Sequence, residues 1–210
     1  DRLYVSNYLD GTVDVFPLAL DGSILPLVQS LEGSGSGPRE AQDGPHAHST
    51  LEIDSGATVL SADLGSDSVH VHRVVDGMLE RVSSGSFPSG TGPRDFALSA
   101  DGRIYLLGEL SGEIFEIDAD ARILRSGPSV EIPVEGYHGA ALALDPAGRF
   151  AYTGLRGSNR IAVVDMSTLR PVAVLPCGGD WPRHLWLEGE FLYVANERSS
   201  TVSSIRIDPA

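Results

Sequence analysis

Apolar and polar positions alternate along this chain in short runs that recur. Five segments share one pattern: "LYVSNYLDGTVDVFPL" (3–18), "VLSADLGSDSVHVHRV" (59–74), "IYLLGELSGEIFEID" (104–118), "AYTGLRGSNRIAVVD" (151–165) and "LYVANERSSTVSSIRID" (192–208). Each reads as a short apolar strand, a small or polar turn, and an alternating strand. Aligning Val13, Val69, Ile114, Ile161 and Val202 gives steps of 56, 45, 47 and 41 residues. A further strand precedes four of the segments: "HAHSTLEI", "RDFALSA", "GAALALD" and "RHLWLEG". These strands end at Ser55-Gly56, Asp101-Gly102, Ala147-Gly148 and Glu188-Gly189. Asp21-Gly22 and Asp76-Gly77 open another strand after two of the segments, as expected of residue pairs that tolerate positive φ in tight hairpins. No stretch carries a sustained helical period with caps.

Four antiparallel strands in a unit of about 40–50 residues predict an all-β chain of β-propeller blades. Lettering the strands A to D outward from the axis, the first repeat supplies B, C and D, repeats two to four supply all four, and the fifth supplies A, B and C. The expected repeats cover roughly 1–30, 46–88, 92–134, 138–178 and 181–210 of one propeller domain, with a Gly/Ser-rich loop insertion at 31–45. About eighteen strands close a ring awkwardly, so the chain reads as part of a larger propeller. The opening "DRLYVSNY" is already strand-like, so further chain is expected before Asp1.

Composition narrows the partners. The net charge is −14, from 29 acidic and 15 basic residues, which argues against nucleic acid and anionic membrane. Every basic residue is Arg, which removes lysine nucleophiles and Schiff bases. One cysteine, Cys177, excludes an intrachain disulfide framework and a cysteine-based zinc site. A reduced cytoplasmic compartment fits this best. No apolar run reaches the roughly 20 residues of a membrane span, and nothing implies a protein partner or a cofactor.

Propeller geometry then brings distant residues together. The start of strand A and the end of strand B lie on one face near the axis, where pockets form. The starts of A supply His46, His48, Arg94, His138, Arg183 and His184. The ends of B supply Asn7, Asp63, Glu109, Arg156, Asn196 and Glu197. Counted back from the A–B turn, His48 and Arg94 are equivalent, and Arg183 matches Arg94 through its Pro-Arg motif. A concentration of Arg and His in an acidic chain points to an anion site, because the guanidinium fork binds carboxylate or phosphate through two parallel bonds. Metal binding at His46 and His48 needs a third ligand, and no spacing singles one out. The competing structural readings make Arg94 and Arg183 caps of blade junctions, Glu109 a solvated loop-end carboxylate, and Arg156 and Glu197 surface groups. Tyr4, Phe96, Tyr105, Tyr152, Trp186 and Tyr193 read as inter-blade core, Trp181 as core or site, and His70 and His72 as structural.

The motifs "LYVSNYLDGTVDVFPL", "GPHAHS", "GTGPRDFALSADGR", "LYVANERSSTV" and "DWPRHLWL" resemble the lactonase family of seven-bladed propellers, across essentially the whole chain. That family includes cycloisomerase-like 6-phosphogluconolactonases and carboxy-cis,cis-muconate cyclases. The resemblance implies a small anionic lactone as substrate and hydrolysis without a metal, 6-phosphogluconolactone being the leading candidate. It points to His48, Glu109 and Arg94 as catalytic groups and to His46, Arg94, Arg183 and His184 as substrate-binding groups. A cycloisomerase and a non-catalytic binding propeller remain the alternatives. One departure stands out: relatives often have "GPRH", and this chain has "GPRD", with Asp95.

Overall fold

A computed structural model of the protein describes residues 1–131 and 137–207. The ends of the third and fifth expected repeats, 132–134 and 208–210, lie outside the described residues. The described chain is built from antiparallel sheets whose strands run side by side in chain order. The first sheet is β1 (Arg2–Asn7), β2 (Thr12–Pro17) and β3 (Gln29–Glu32). The second is β4 (Ala47–Ile53), β5 (Thr58–Asp63), β6 (Ser68–Val75) and β7 (Met78–Ser86). The third is β8 (Pro93–Leu98), β9 (Ile104–Gly108), β10 (Glu113–Ile117) and β11 (Ile123–Pro128). The fourth is β12 (His138–Leu144), β13 (Phe150–Arg156), β14 (Arg160–Asp165) and β15 (Arg170–Pro176), and the fifth is β16 (Pro182–Glu188), β17 (Phe191–Asn196) and β18 (Thr201–Arg206). These are the blade-type meanders that the repeats predict. No helix among the described residues is long and apolar enough to cross a membrane.

The chain forms two compact units. One comprises Asp1–Arg94 with Asp118–Ile123, the other Asp95–Ile117 with Leu124–Ala210. In the first unit, Val13 and Val15 of β2 pack with Ala47, Val59 and Leu79 of the second sheet. The Gln29 side chain reinforces this seam by donating to the Leu79 carbonyl (2.9 Å) and accepting the Leu79 N–H (2.8 Å), as a strand neighbour would. In the second unit, Tyr105, Leu107 and Ile114 pack with Leu142, Val164 and Met166. Tyr152, Ile161 and Val163 pack with Leu185, Leu192 and Val194. The second strands of the three four-stranded sheets are covered on both faces, and β9, "IYLLG", is buried at every position. Outer strands such as β7 and β15 are largely exposed.

Several sequence expectations need correction here. The 31–45 insertion is not all loop: Leu31 and Glu32 close β3, and Glu40–Gln42 form a 3-10 turn. Gln42 is fully buried because its amide donates to the Leu64 carbonyl and to Asp67 and accepts the Arg39 N–H. Tyr105 and Tyr152 are core residues as expected, but Trp186 (62% exposed) and Tyr193 (37% exposed) are not. In β17, burial alternates strictly, so one face of the last sheet is covered and the other carries these rings to solvent. The Asp-Gly pairs also differ. Asp76 and Gly77 both take positive φ and join β6 to β7 directly, whereas at Asp21-Gly22 and Asp101-Gly102 only the glycine does. There the aspartate side chain instead accepts bonds from Ser23 and from Ser99 with Arg103.

Candidate functional site

The register of the innermost strands places the candidate residues. In β4, Ala47 faces Asp63 and Ser49 faces Ala62, which leaves His48 as an extra residue in a β-bulge. In β16, Pro182 faces Asn196 and His184 faces Ala195, which leaves Arg183 in the same place. His48 and Arg183 are therefore repeat-equivalent, each on a bulge that re-aims its side chain. β12 carries the irregularity between Gly139 and Leu142. Because of the bulge, the His46–His48 segment is not a regular strand and the two rings are not fixed by strand alternation.

In the first unit the shared neighbour of both rings is Tyr8, which follows β1. His46 stacks on Tyr8 (centroids 4.5 Å apart, planes 10° apart), and His48 meets the same ring edge-on at 5.9 Å. Both His46 nitrogens are engaged: Nδ1 lies 2.8 Å from the Tyr8 carbonyl oxygen and Nε2 lies 3.0 Å from Asp43 Oδ1. His46 thus secures the Tyr8 platform, and no ring nitrogen is left for another partner. Below the rings, Asp63 Oδ1 accepts the backbone N–H groups of His46, Gly65 and Ser66 at 2.8, 3.0 and 3.2 Å. Burial pushes the Asp63 carboxyl up, but the His70 ring and these N–H donors outweigh it and hold the group below the usual carboxylate range. Arg94 begins β8 and is only 5% exposed. Ser49 Oγ donates to the Arg94 carbonyl at 2.7 Å, so the starts of β4 and β8 lie side by side.

Asp67 fixes the approach to Arg94. It sits at positive φ in the β5–β6 turn and is buried. One carboxylate oxygen accepts Gln42 Nε2 and the Gly92 N–H, both at 2.8 Å, and the other accepts the Gly90 N–H at 2.7 Å. The turn thereby clamps the "SGTGPR" loop. Asp67 is not part of an Asp-Gly pair, and no hydrophobic or turn pattern marks it.

In the second unit, Glu109 is not a solvated loop-end group and Arg156 is not a surface residue. Arg156 Nη2 meets Glu109 Oε1 at 2.7 Å, with both side chains largely buried, and it also donates to the Gly139 carbonyl at 3.1 Å. Gly139 N–H donates to the Glu109 carbonyl at 3.1 Å, so this pair seams β12 to the end of β9. Arg183 Nη1 pairs with Glu197 Oε2 at 2.9 Å, with both groups about half exposed, and His184 is exposed. Trp181, equivalent to His46 by register, carries the Arg198 guanidinium over its ring at 3.4 Å and the Arg156 guanidinium at 5.9 Å. Tyr8 and Arg198 are the residues that the sequence alone did not single out. Asp95 accepts the Leu142 N–H at 2.9 Å and joins β8 to β12. Among the described residues, no group of three His, Cys, Asp or Glu side chains is placed to hold a metal ion.

The family model for lactonase, a seven-bladed beta-propeller, matches residues 1–210. The chain belongs to the lactonase family. This lactonase-family chain is 30% identical to the 6-phosphogluconolactonase of Bacillus subtilis (strain 168), over 94% of its own length and 60% of that protein. Among solved structures, it matches a Lactobacillus plantarum protein with a TM-score of 0.89 at 32% identity, covering 98% of this chain and 64% of that one. It matches the periplasmic gluconolactonase PpgL of Pseudomonas aeruginosa with a TM-score of 0.87 at 30% identity, covering 99% and 63%. The lactonase-family chain therefore spans about three fifths of the length of these relatives.

Proposed function

We propose that the protein is a lactone hydrolase acting on a small anionic sugar lactone, with 6-phosphogluconolactone as the leading substrate. The observation that carries this reading is the bulge at the start of an innermost strand. It presents His48 in one blade and Arg183 in another, and Arg94 occupies the matching Pro-Arg position. Similarity to a 6-phosphogluconolactonase and to a gluconolactonase supports the substrate class.

In the first unit the chemistry is assigned to His48 and Arg94. His48 removes a proton from water, and the resulting hydroxide attacks the lactone carbonyl. Arg94 stabilises the oxyanion, and its low exposure strengthens that interaction by excluding water. The ring C–O bond then breaks, and the departing alkoxide takes back the proton from His48. Tyr8 and His46 hold His48 in place. In the second unit, Arg183 and His184 are assigned to substrate contact. Glu109, already engaged by Arg156, is assigned to holding that arginine rather than to proton transfer.

The test is steady-state hydrolysis of 6-phosphogluconolactone by the full-length protein. His48→Gln and Arg94→Ala are expected to lower kcat/KM by about 100-fold or more, and Arg183→Ala is expected to raise KM. Wild-type kinetics in both arginine variants would sink the assignment.

A further inference from the structure

The Trp181 corner of the second unit contains a cation whose hydrogen-bonding groups are unused. Two arginines lie over that ring, Arg156 and Arg198, and a third, Arg183, follows it in sequence. Arg156 is engaged by Glu109 and by the Gly139 carbonyl, and Arg183 is engaged by Glu197. Arg198 stacks on the ring at 3.4 Å, is exposed, and its guanidinium makes no hydrogen bond or ion pair among the described residues. Stacking uses the flat face of a guanidinium and leaves its edge, with the N–H fork, directed outward.

The platform beneath it is built and strained. Trp181 takes φ 68°, an outlier for so bulky a residue. The surrounding structure enforces it: the Trp181 N–H donates to Asn159 Oδ1 at 2.9 Å, and its carbonyl accepts the Glu197 N–H at 3.0 Å. The Arg198 N–H donates to the Asp180 carbonyl at 3.2 Å, which locks the turn carrying the guanidinium to the residue before the indole. Backbone strain held in place by several bonds at an exposed corner is what functional positions display.

We propose that Arg198, oriented by Trp181, is an anion clamp that binds the phosphate or carboxylate of a small organic acid through its guanidinium fork. The proposal rests on the lactone-hydrolase reading only for the identity of that acid. The pair supplies a fixed cation for the charge of such an acid. Arg183, neutralised by Glu197, supplies less of it.

The molecule carries its own reporter. Trp181 and Trp186 are the two tryptophans of this sequence, so Trp186→Phe leaves Trp181 as the one indole within these 210 residues. Its fluorescence is titrated with 6-phosphogluconate, gluconate and inorganic phosphate. A saturable change is expected, with Kd raised about tenfold or more when Arg198→Ala is added, as loss of a charge-assisted bidentate contact requires. Arg198→Lys, which keeps the charge and loses the fork, is expected to lie between. Arg198-dependent binding of 6-phosphogluconate and phosphate but not gluconate assigns a phosphate clamp, and binding of 6-phosphogluconate and gluconate but not phosphate assigns a carboxylate clamp. No saturable change with any of the three, or equal affinity with and without Arg198, overturns the proposal. Arg198-dependent binding in a protein that hydrolyses no lactone would leave the clamp standing and remove the lactonase reading.

Discussion

Asp67→Asn is the sharpest perturbation the structure offers, because it changes charge and acceptor count and nothing else. Asparagine tolerates the positive φ that Asp67 adopts, so backbone strain does not enter. The carboxylate receives three donors on two oxygens: Gln42 Nε2 and Gly92 N–H on one, and Gly90 N–H on the other. An amide has one oxygen. If that oxygen keeps Gln42 and Gly92, the new NH2 faces the buried Gly90 N–H. A buried donor left without an acceptor costs about 1–3 kcal/mol. The two surviving bonds change from charge-assisted to neutral, which weakens each by about half. The sum is about 3 kcal/mol, equivalent to a fall of roughly 6–12 °C in thermal midpoint for a protein of this size. Urea and thermal unfolding of the full-length protein read the stability. Turnover of 6-phosphogluconolactone reads the position of Arg94, two residues beyond Gly92. A midpoint within about 1 °C of wild type, with unaltered kcat/KM, would refute the idea that this turn fixes the loop.

Three further outcomes follow from the same geometry. His72 is fully buried on β6, and burial together with the Arg81 and His70 charges pushes it down to about 4, so it stays neutral in the folded protein while the unfolded chain protonates near pH 6.5. Stability is thus full above about pH 6.5 and falls by about 3 kcal/mol as the pH drops towards 4; urea midpoints measured across that range in wild type and His72→Gln should show the slope only in the former. Arg156→Ala removes the buried guanidinium that pairs with Glu109 and is expected to destabilise by about 3 kcal/mol, whereas the double change Arg156→Met with Glu109→Met should recover most of that, as measured by a double-mutant cycle of melting curves. Gly65→Ala drives a Cβ into the Gly44 carbonyl oxygen and the His46 backbone nitrogen, which cannot swing aside, and is expected to cost about 3 kcal/mol or more by denaturant unfolding. Gly22→Ala meets nothing within 4 Å and should lose only the roughly 1 kcal/mol that positive φ imposes.

The strands were legible because alternation and turn residues recur at blade spacing, and those signals are local. The contacts between blades are not local. Arg156 reads as an exposed end-of-strand arginine until Glu109, 47 positions earlier, is placed against it. Trp186 and Tyr193 sit at positions that are core in other blades, and periodicity reports which side chains share a face without reporting which face is covered. The 31–45 insertion has the composition of a loop, yet its one fully buried residue, Gln42, is polar and would not register in any hydrophobic pattern. Tyr8 and Arg198 were missed for a related reason. Each acts through a ring that enters from elsewhere, His46 for Tyr8 and Trp181 for Arg198, and neither pair is marked by spacing.

Asp95 shows how a departure from a family pattern can be read once the register is known. Counted back from the A–B turn it matches Ser49 in the preceding blade, and through the Pro-Arg motif it matches His184 in the last. Ser49 reaches forward to the Arg94 carbonyl, and Asp95 reaches forward to the Leu142 N–H. Both therefore tie one innermost strand to the next. Leu142 closes the irregular stretch of β12, where a disturbed ladder leaves an N–H in need of an acceptor. A carboxylate meets that need without depending on a tautomer, which an imidazole at the same position could not do. The bulge sets His48 apart from the ladder position of Ser49, so seam bonds and ligand contacts can be divided between adjacent positions: Ser49 and Asp95 on the seam, His48 and Arg94 on the proposed chemistry. On this division the "GPRD" sequence exchanges one seam group for another and leaves the proposed roles of His48 and Arg94 intact.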